Sequence, residues 1–262
     1  MRVPWNKNRA LPWAALWLIC VCAFFSSAAP AAEVRVAVAA NFTGTLRQLG
    51  AQFERETGNH LLISAGSTGK LYVQIKNGAP FDVLLAADVE HPQRLEQEHL
   101  AVPGTRFTYA RGVLVLWSPD PHRIDAKGEM LARGQFTRLA IANPAIAPYG
   151  AAARQALRQL GMWDRIQARL VQGEDIGQTF QFVATHNADA GLVAMAQVRE
   201  APAQLRGSLW IVPAALYHPI EQQAVLLQSA ASNAAARAFL HFLAGAPARR
   251  IIEAAGYQTA AP

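Results

Sequence analysis

Apolar residues along this chain follow two rhythms that take turns. Val34 to Ala39 reads as a strand; Leu46, Leu49 and Phe53 then recur at the spacing of a helix buried along one face, and Gly58 is placed to stop it. Leu61 to Ser64 predicts a second strand. Gly69 to Asn77 suits a short helix with Leu71 and Ile75 inward. Asp82 to Ala87 (DVLLAA) is a continuous apolar stretch of the kind buried on both faces of a parallel sheet. This βαβαβ order predicts right-handed crossovers.

The rhythm returns without any repeat of sequence. Val113 to Trp117, Leu139 to Ala142, Leu170 to Gln172 and Leu192 to Met195 read as strands. Tyr149 to Leu160, ended by Gly161, and Ile176 to Thr185 read as helices. Trp210 to Val212 and Val225 to Leu227 predict two late strands, and Asn233 to Leu243 and Ala248 to Ala255 two closing helices. Alternating strands and helices define an α/β fold. Elements left over after two such units predict that the chain returns to its first lobe. The expected division is a lobe of residues 32–110 and 214–262 against a lobe of 111–213, with crossings near Thr108–Arg111 and Pro213–Tyr217.

The beginning of the chain has a different character. Arg2, Lys7 and Arg9 precede an apolar run from Trp13 to Phe25, and Ala29-Pro30-Ala31 offers a small-residue cleavage pattern, so residues 1–31 read as a secretory signal peptide. The apolar run is shorter than the roughly 18 residues a spanning helix needs. Its removal changes the rest of the picture. Both cysteines, Cys20 and Cys22, leave with it, so the mature chain has no thiol and no disulfide; neither is preceded by the small residue that lipidation requires. Three of the 24 Lys and Arg and none of the 18 Asp and Glu lie there, leaving 21 cations against 18 anions. With no basic cluster interleaved with aromatics, nucleic acid is not an expected partner. The 262 residues are 52% hydrophobic and 16% charged, enough apolar material for a sizeable core.

In open α/β sheets, ligands bind beyond the carboxyl ends of strands, where loops lead into helix N-termini. Four such turns stand out: Ala39-Ala40-Asn41-Phe42, Ala65-Gly66-Ser67-Thr68-Gly69, Pro148-Tyr149 and Gly173-Glu174-Asp175-Ile176. Their donors are an amide, hydroxyls, a phenol and free backbone N–H groups, a set that suits an anion held without a cationic side chain. Each turn alone is more often a helix cap than a ligand. Glu174-Asp175 reads as a cap, with Asp175 as the capping residue.

Other chemistries fit poorly. Gly66-Ser67-Thr68-Gly69-Lys70 suggests a P-loop, but the spacing needs Gly at 64 and Ser or Thr at 71, where the chain has Ser64 and Leu71. Lys70 then reads as a solvated side chain. His60, His91, His99, His122, His186, His218 and His241 are scattered without metal-ligand spacing, and no G-x-S-x-G elbow is present. A secreted ester hydrolase using the turns as an oxyanion hole would therefore lack an evident nucleophile and base.

The stretches AANF (39–42), SAGSTGKLYVQIKNGAPFDVLLAAD (64–88), ANPAIAPYG (142–150) and VQGEDIGQTFQFV (171–183) together resemble the periplasmic molybdate-binding proteins of bacterial ABC importers. The resemblance spans the mature chain in order. It implies a two-lobed, type II periplasmic binding fold that closes around one oxyanion, molybdate or tungstate, for delivery to a membrane permease. It also implies a monomer without cofactor or catalysis. By position it implies Asn41, with the Ala40–Asn41 backbone, at the first turn; Thr68, with Ser67 beside it, at the second; the Tyr149 phenol; and the Ile176 N–H. Some relatives carry a tyrosine ligand where this chain has Ala194, a donor that Tyr149 would replace. Sulfate or phosphate is the alternative ligand.

Overall fold

A computed structural model describes Met1, Arg2 and residues 32–259; the expected signal segment otherwise lies outside the described residues. Ten strands form two five-stranded mixed sheets. The chain runs β1 (Glu33–Ala39), α1 (Thr43–Thr57), β2 (His60–Gly66), α2 (Thr68–Lys76), β3 (Val83–Leu85), α3 (Glu90–Gln97) and β4 (Phe107–Gly112). It continues through β5 (Leu114–Ser118), α4 (Glu129–Arg133), β6 (Leu139–Ala142), α5 (Pro148–Gln159), α6 (Trp163–Ile166), β7 (Leu170–Gly173), α7 (Ile176–Ala184), β8 (Ala190–Ala194), α8 (Met195–Glu200) and β9 (Ser208–Ile211). It closes with β10 (Ile220–Leu226), α9 (Ala234–Ala244) and α10 (Ala246–Ala254).

The first sheet has the order β2-β1-β3-β10-β4, and the second β7-β6-β8-β5-β9. Within each, one strand runs parallel to two neighbours, β1 to β2 and β3, and β6 to β7 and β8. The late strand β10 enters the first sheet antiparallel between β3 and β4, while β5 pairs antiparallel with β8 and β9. All second-sheet strands come from one stretch of chain, and the first sheet takes strands from before and after it.

Strand periodicity explains the core. Along β1, Val36 and Val38 join the cluster built by Leu46, Leu49 and Phe53 of α1 and Phe239 of α9, while Ala37 joins Leu71 and Ile75 of α2 on the other face. The second sheet does the same: Leu114 and Leu116 face α5, while Val115 and Trp117 face Val183 of α7. Burial on both faces is why β3 and β5 read as unbroken apolar runs. Phe53 meets Phe239 edge to face at 5.4 Å, so truncating either ring would cost about 3–5 kcal/mol. Gly58 closes α1 in the left-handed conformation, φ 74°, as its position suggested.

Three regions depart from the sequence reading. The crossing expected near Thr108–Arg111 falls just after it, at Gly112–Val113, because Thr108–Arg111 is the middle of β4, whose buried pair Tyr109 and Ala110 is too short to stand out as an apolar run. β10 starts five residues before the expected Val225, because buried Gln222 and Gln223 interrupt its apolar run. Met195 opens α8 instead of ending a strand. Among the described residues no helix is long and apolar enough to cross a membrane.

Candidate functional site

The carboxyl ends of β1, β2, β6 and β7 feed the four turns noted above, and the two sheets bring these turns together. Ala40, Asn41, Ser67, Thr68, Tyr149 and Ile176 all line one small cavity, together with Asp175. Gly69 sits where the two halves touch: its N–H donates to the Ile146 carbonyl at 3.0 Å, and a Cβ there would lie 3.1 Å from that oxygen.

The donors differ in how far the protein already uses them. Ser67 is buried at the N-cap position of α2, yet caps nothing, and its hydroxyl has no hydrogen-bond partner. A buried unsatisfied hydroxyl costs about 1–3 kcal/mol, a cost that a bound acceptor removes. The Thr68 hydroxyl accepts from the Ala87 N–H at 3.0 Å and keeps its proton to give. Asn41 is committed: its amide nitrogen donates to Gln222 Oε1 at 2.9 Å and to the Tyr257 hydroxyl at 3.0 Å. Its backbone, together with that of Ala40, is what remains for a guest.

Tyr149 is 1% exposed, and burial holds its phenol far above the ordinary tyrosine range, so it stays neutral at any physiological pH. Its oxygen accepts from Gln222 Nε2 at 3.3 Å. Gly112 makes that contact possible, since a Cβ there would stand 2.1 Å from the phenol oxygen. Ile176 is the first residue of α7, whose cap is Asp175: the carboxylate accepts the Gln178 N–H at 2.9 Å, leaving the Ile176 amide without an intrahelical partner. Ala194, where the resemblance expects a tyrosine in some relatives, is fully buried in the same apolar cluster as Tyr149 and offers no side-chain donor.

Among the described residues no Lys or Arg side chain lines the cavity. Lys70 instead bonds Glu174 at 2.6 Å, joining the start of α2 to the turn before α7, with both side chains half exposed. That carboxylate keeps the ammonium above its usual pKa, and the pair presents no net charge to a guest. A larger depression of about 540 Å³ adjoins this cavity, sharing Ala87 and Pro148 with it, and is lined in part by Asp88, Glu90 and Glu221, whose carboxylates repel an anion. No group of three or more His, Cys, Asp or Glu that could hold a metal occurs among the described residues. Tyr109, Gln222 and Tyr257 were not singled out from the sequence, although two glutamines inside an apolar strand pattern (IEQQAVL) are a readable signal of a buried polar function.

Paired α/β halves around a small cavity lined by hydroxyl, phenol and backbone donors, with the Asp175 cap at its edge, are the build of a protein that captures a solute. The chain belongs to the bacterial extracellular solute-binding protein family, whose pattern matches residues 34–258. It is 50% identical over 230 residues to the molybdate-binding protein ModA of Azotobacter vinelandii, covering 88% of this chain and 91% of that one. Identity to ModA of Rhodobacter capsulatus is 47% over 231 residues, covering 88% and 90%. The solved structure of the Azotobacter vinelandii periplasmic molybdate-binding protein matches with a TM-score of 0.84 at 45% identity, covering 87% of this chain and all of that one.

Proposed function

We propose that this protein captures molybdate, and tungstate with it, in the periplasm and delivers it to the permease of an ABC importer. The observation that carries the reading is the Ser67 hydroxyl, buried and unpartnered in the wall of a cavity that otherwise offers hydroxyl, phenol and backbone donors, with Asp175, the cap of α7, the one charged residue in its lining. A compact dianion supplies the acceptors such a wall lacks, and the relatives indicate which dianion. In this reading Ser67 and Thr68 give hydroxyls, Tyr149 its phenol, and Ala40, Asn41 and Ile176 backbone N–H groups.

Capture follows from two lobes, residues 32–112 with 214–262 and residues 113–213, hinged at the crossings. An open cleft admits the hydrated anion, donors from both lobes replace its water, and closure buries it. Burial makes completeness decisive, because an unpaired charge is expensive away from water. Sulfate, with shorter bonds, leaves donors unfilled and binds more weakly. The site binds without turnover, since Ser67 has no base within hydrogen-bond distance. The protein works as a monomer, takes no cofactor and no nucleic acid, and loses residues 1–31 on export.

Calorimetry of the mature chain against molybdate, tungstate, sulfate and phosphate tests this reading. Strong binding of the first two, with a raised melting temperature, is expected. Equal affinity for sulfate or phosphate would replace it with a general oxyanion binder, and turnover of a simple phosphate or sulfate ester would restore the hydrolase reading.

A further inference from the structure

The buried hydrogen bonds behind the cavity have a direction that can be derived. Tyr257 donates to the backbone carbonyl of Asn41 at 2.7 Å. A carbonyl only accepts, so the proton of Tyr257 is committed and its oxygen can only receive. The side-chain atom of Asn41 that lies 3.0 Å from that oxygen is therefore the amide nitrogen. The same nitrogen lies 2.9 Å from Gln222, which must present its oxygen there. The Tyr109 hydroxyl shares its one proton between this oxygen, at 3.1 Å, and the Ala86 carbonyl, at 3.2 Å, so the Asn41 nitrogen is what fixes the Gln222 oxygen here. The nitrogen of Gln222 is then turned to the phenol oxygen of Tyr149, at 3.3 Å. Asn41, Gln222, Tyr149 and Tyr257 are all buried, so bulk water does not reach the chain to reverse a link.

We infer that Gln222 and Tyr257, neither of which lines the cavity, set the hydrogen-bond polarity of the anion site: the chain Tyr257–Asn41–Gln222–Tyr149 forces the Tyr149 phenol to receive from the protein and give its own proton to the bound oxyanion. The inference rests on the oxyanion reading of the cavity. Gln222 and Tyr257 are positioning residues. The side chain of Asn41 is a link in the chain, with both amide protons spent behind the cavity.

This polarity carries selectivity. A phenol held as a donor suits a fully deprotonated oxyanion such as molybdate. Hydrogen phosphate brings a proton that needs an acceptor; Tyr149 offers none while Gln222 points its N–H at the phenol oxygen, which leaves the Asp175 carboxylate as the acceptor in the wall. Releasing the phenol lets it accept, which weakens molybdate and favours hydrogen phosphate relative to it. A role confined to packing would not change that ratio.

The test is a double-mutant cycle on the mature chain, read by calorimetry with molybdate and with inorganic phosphate near pH 7. Tyr149→Phe should weaken molybdate about tenfold to a hundredfold. Gln222→Met, of similar volume but without donor or acceptor, should weaken it about threefold to tenfold. With Gln222→Met already present, Tyr149→Phe should cost less than about threefold more, because the phenol is no longer aimed. The ratio of molybdate to phosphate affinity should fall in Gln222→Met. Tyr257→Phe, which deletes one oxygen outside the cavity, should shift affinity and ratio in the same directions by smaller factors, and it carries the test if Gln222→Met does not fold. Additive penalties with an unchanged ratio overturn the role of Gln222 and leave the oxyanion site standing. A wild-type protein that binds neither anion overturns the oxyanion reading and this inference with it.

Discussion

Helices α2 and α7 both begin at the cavity, and each has a favoured capping residue at its start, Ser67 and Asp175. Only one of them caps. Asp175 accepts the Gln178 N–H at 2.9 Å and closes the first turn of α7. Ser67 has extended backbone, φ −70° and ψ 145°, but makes no capping bond, so α2 starts open. That start is held from outside: the Gly69 N–H bonds the Ile146 carbonyl, and the Thr68 hydroxyl receives the Ala87 N–H. A helix fixed by tertiary contacts can leave its cap unused, and an unused cap is a donor available to a guest. The two residues look alike in a capping rule and differ in what they leave unsatisfied.

Exchanging the two solutions gives the largest expected effect. Ser67→Asp puts a carboxylate at the open start of α2, where it can cap the helix but stands beside a bound dianion. Molybdate affinity should fall by at least about a hundredfold, while the melting temperature of the ligand-free protein holds or rises. Calorimetry and a thermal scan read the two effects separately. Ser67→Ala removes the donor alone, so affinity should drop about tenfold with little loss of stability; a loss of stability without a loss of affinity would make Ser67 a cap after all.

Asp175→Ala should act mainly on stability, because this lining carboxylate is turned to the first turn of α7. Losing a true cap costs about 1 kcal/mol, a melting shift of about 2–4 °C in a domain of this size, while molybdate affinity changes less than about threefold. The smallest effect belongs to Lys70→Ala. Its half-exposed pair with Glu174 links the two helix starts, but exposed pairs are worth little and are screened by salt, so affinity in physiological salt should change less than about twofold. A large loss that disappears at high salt would make Lys70 the anion's partner.

The part of the fold set by local pattern was legible. The stripe of Leu46, Leu49 and Phe53 gives α1, Gly58 ends it, and the apolar run through Val83–Leu85 gives a central strand. The four turns were legible as a set, because strand ends followed by donor-rich helix starts are a local feature. Which hydroxyl is free was not. Thr68 is engaged by Ala87, nineteen residues on, and Asn41 by Gln222 and Tyr257, 181 and 216 residues away. Spacing rules say nothing about partners that distant. β10 was shortened for a related reason: Gln222 and Gln223 look like surface residues by hydropathy, and only the partners that satisfy them explain their burial.

The late arrival of β10 also has a kinetic meaning. It fills the gap between β3 and β4, so a chain emerging from its amino end carries two incomplete strand edges for about a hundred residues after Gly112 has been made. Unpaired edges are where chains join one another. The groups that orient the anion's tyrosine, Gln222 and Tyr257, come with that same late segment, so ligand can reward only the finished molecule. For the early stretch, protection from aggregation has to come from speed, dilution or a chaperone.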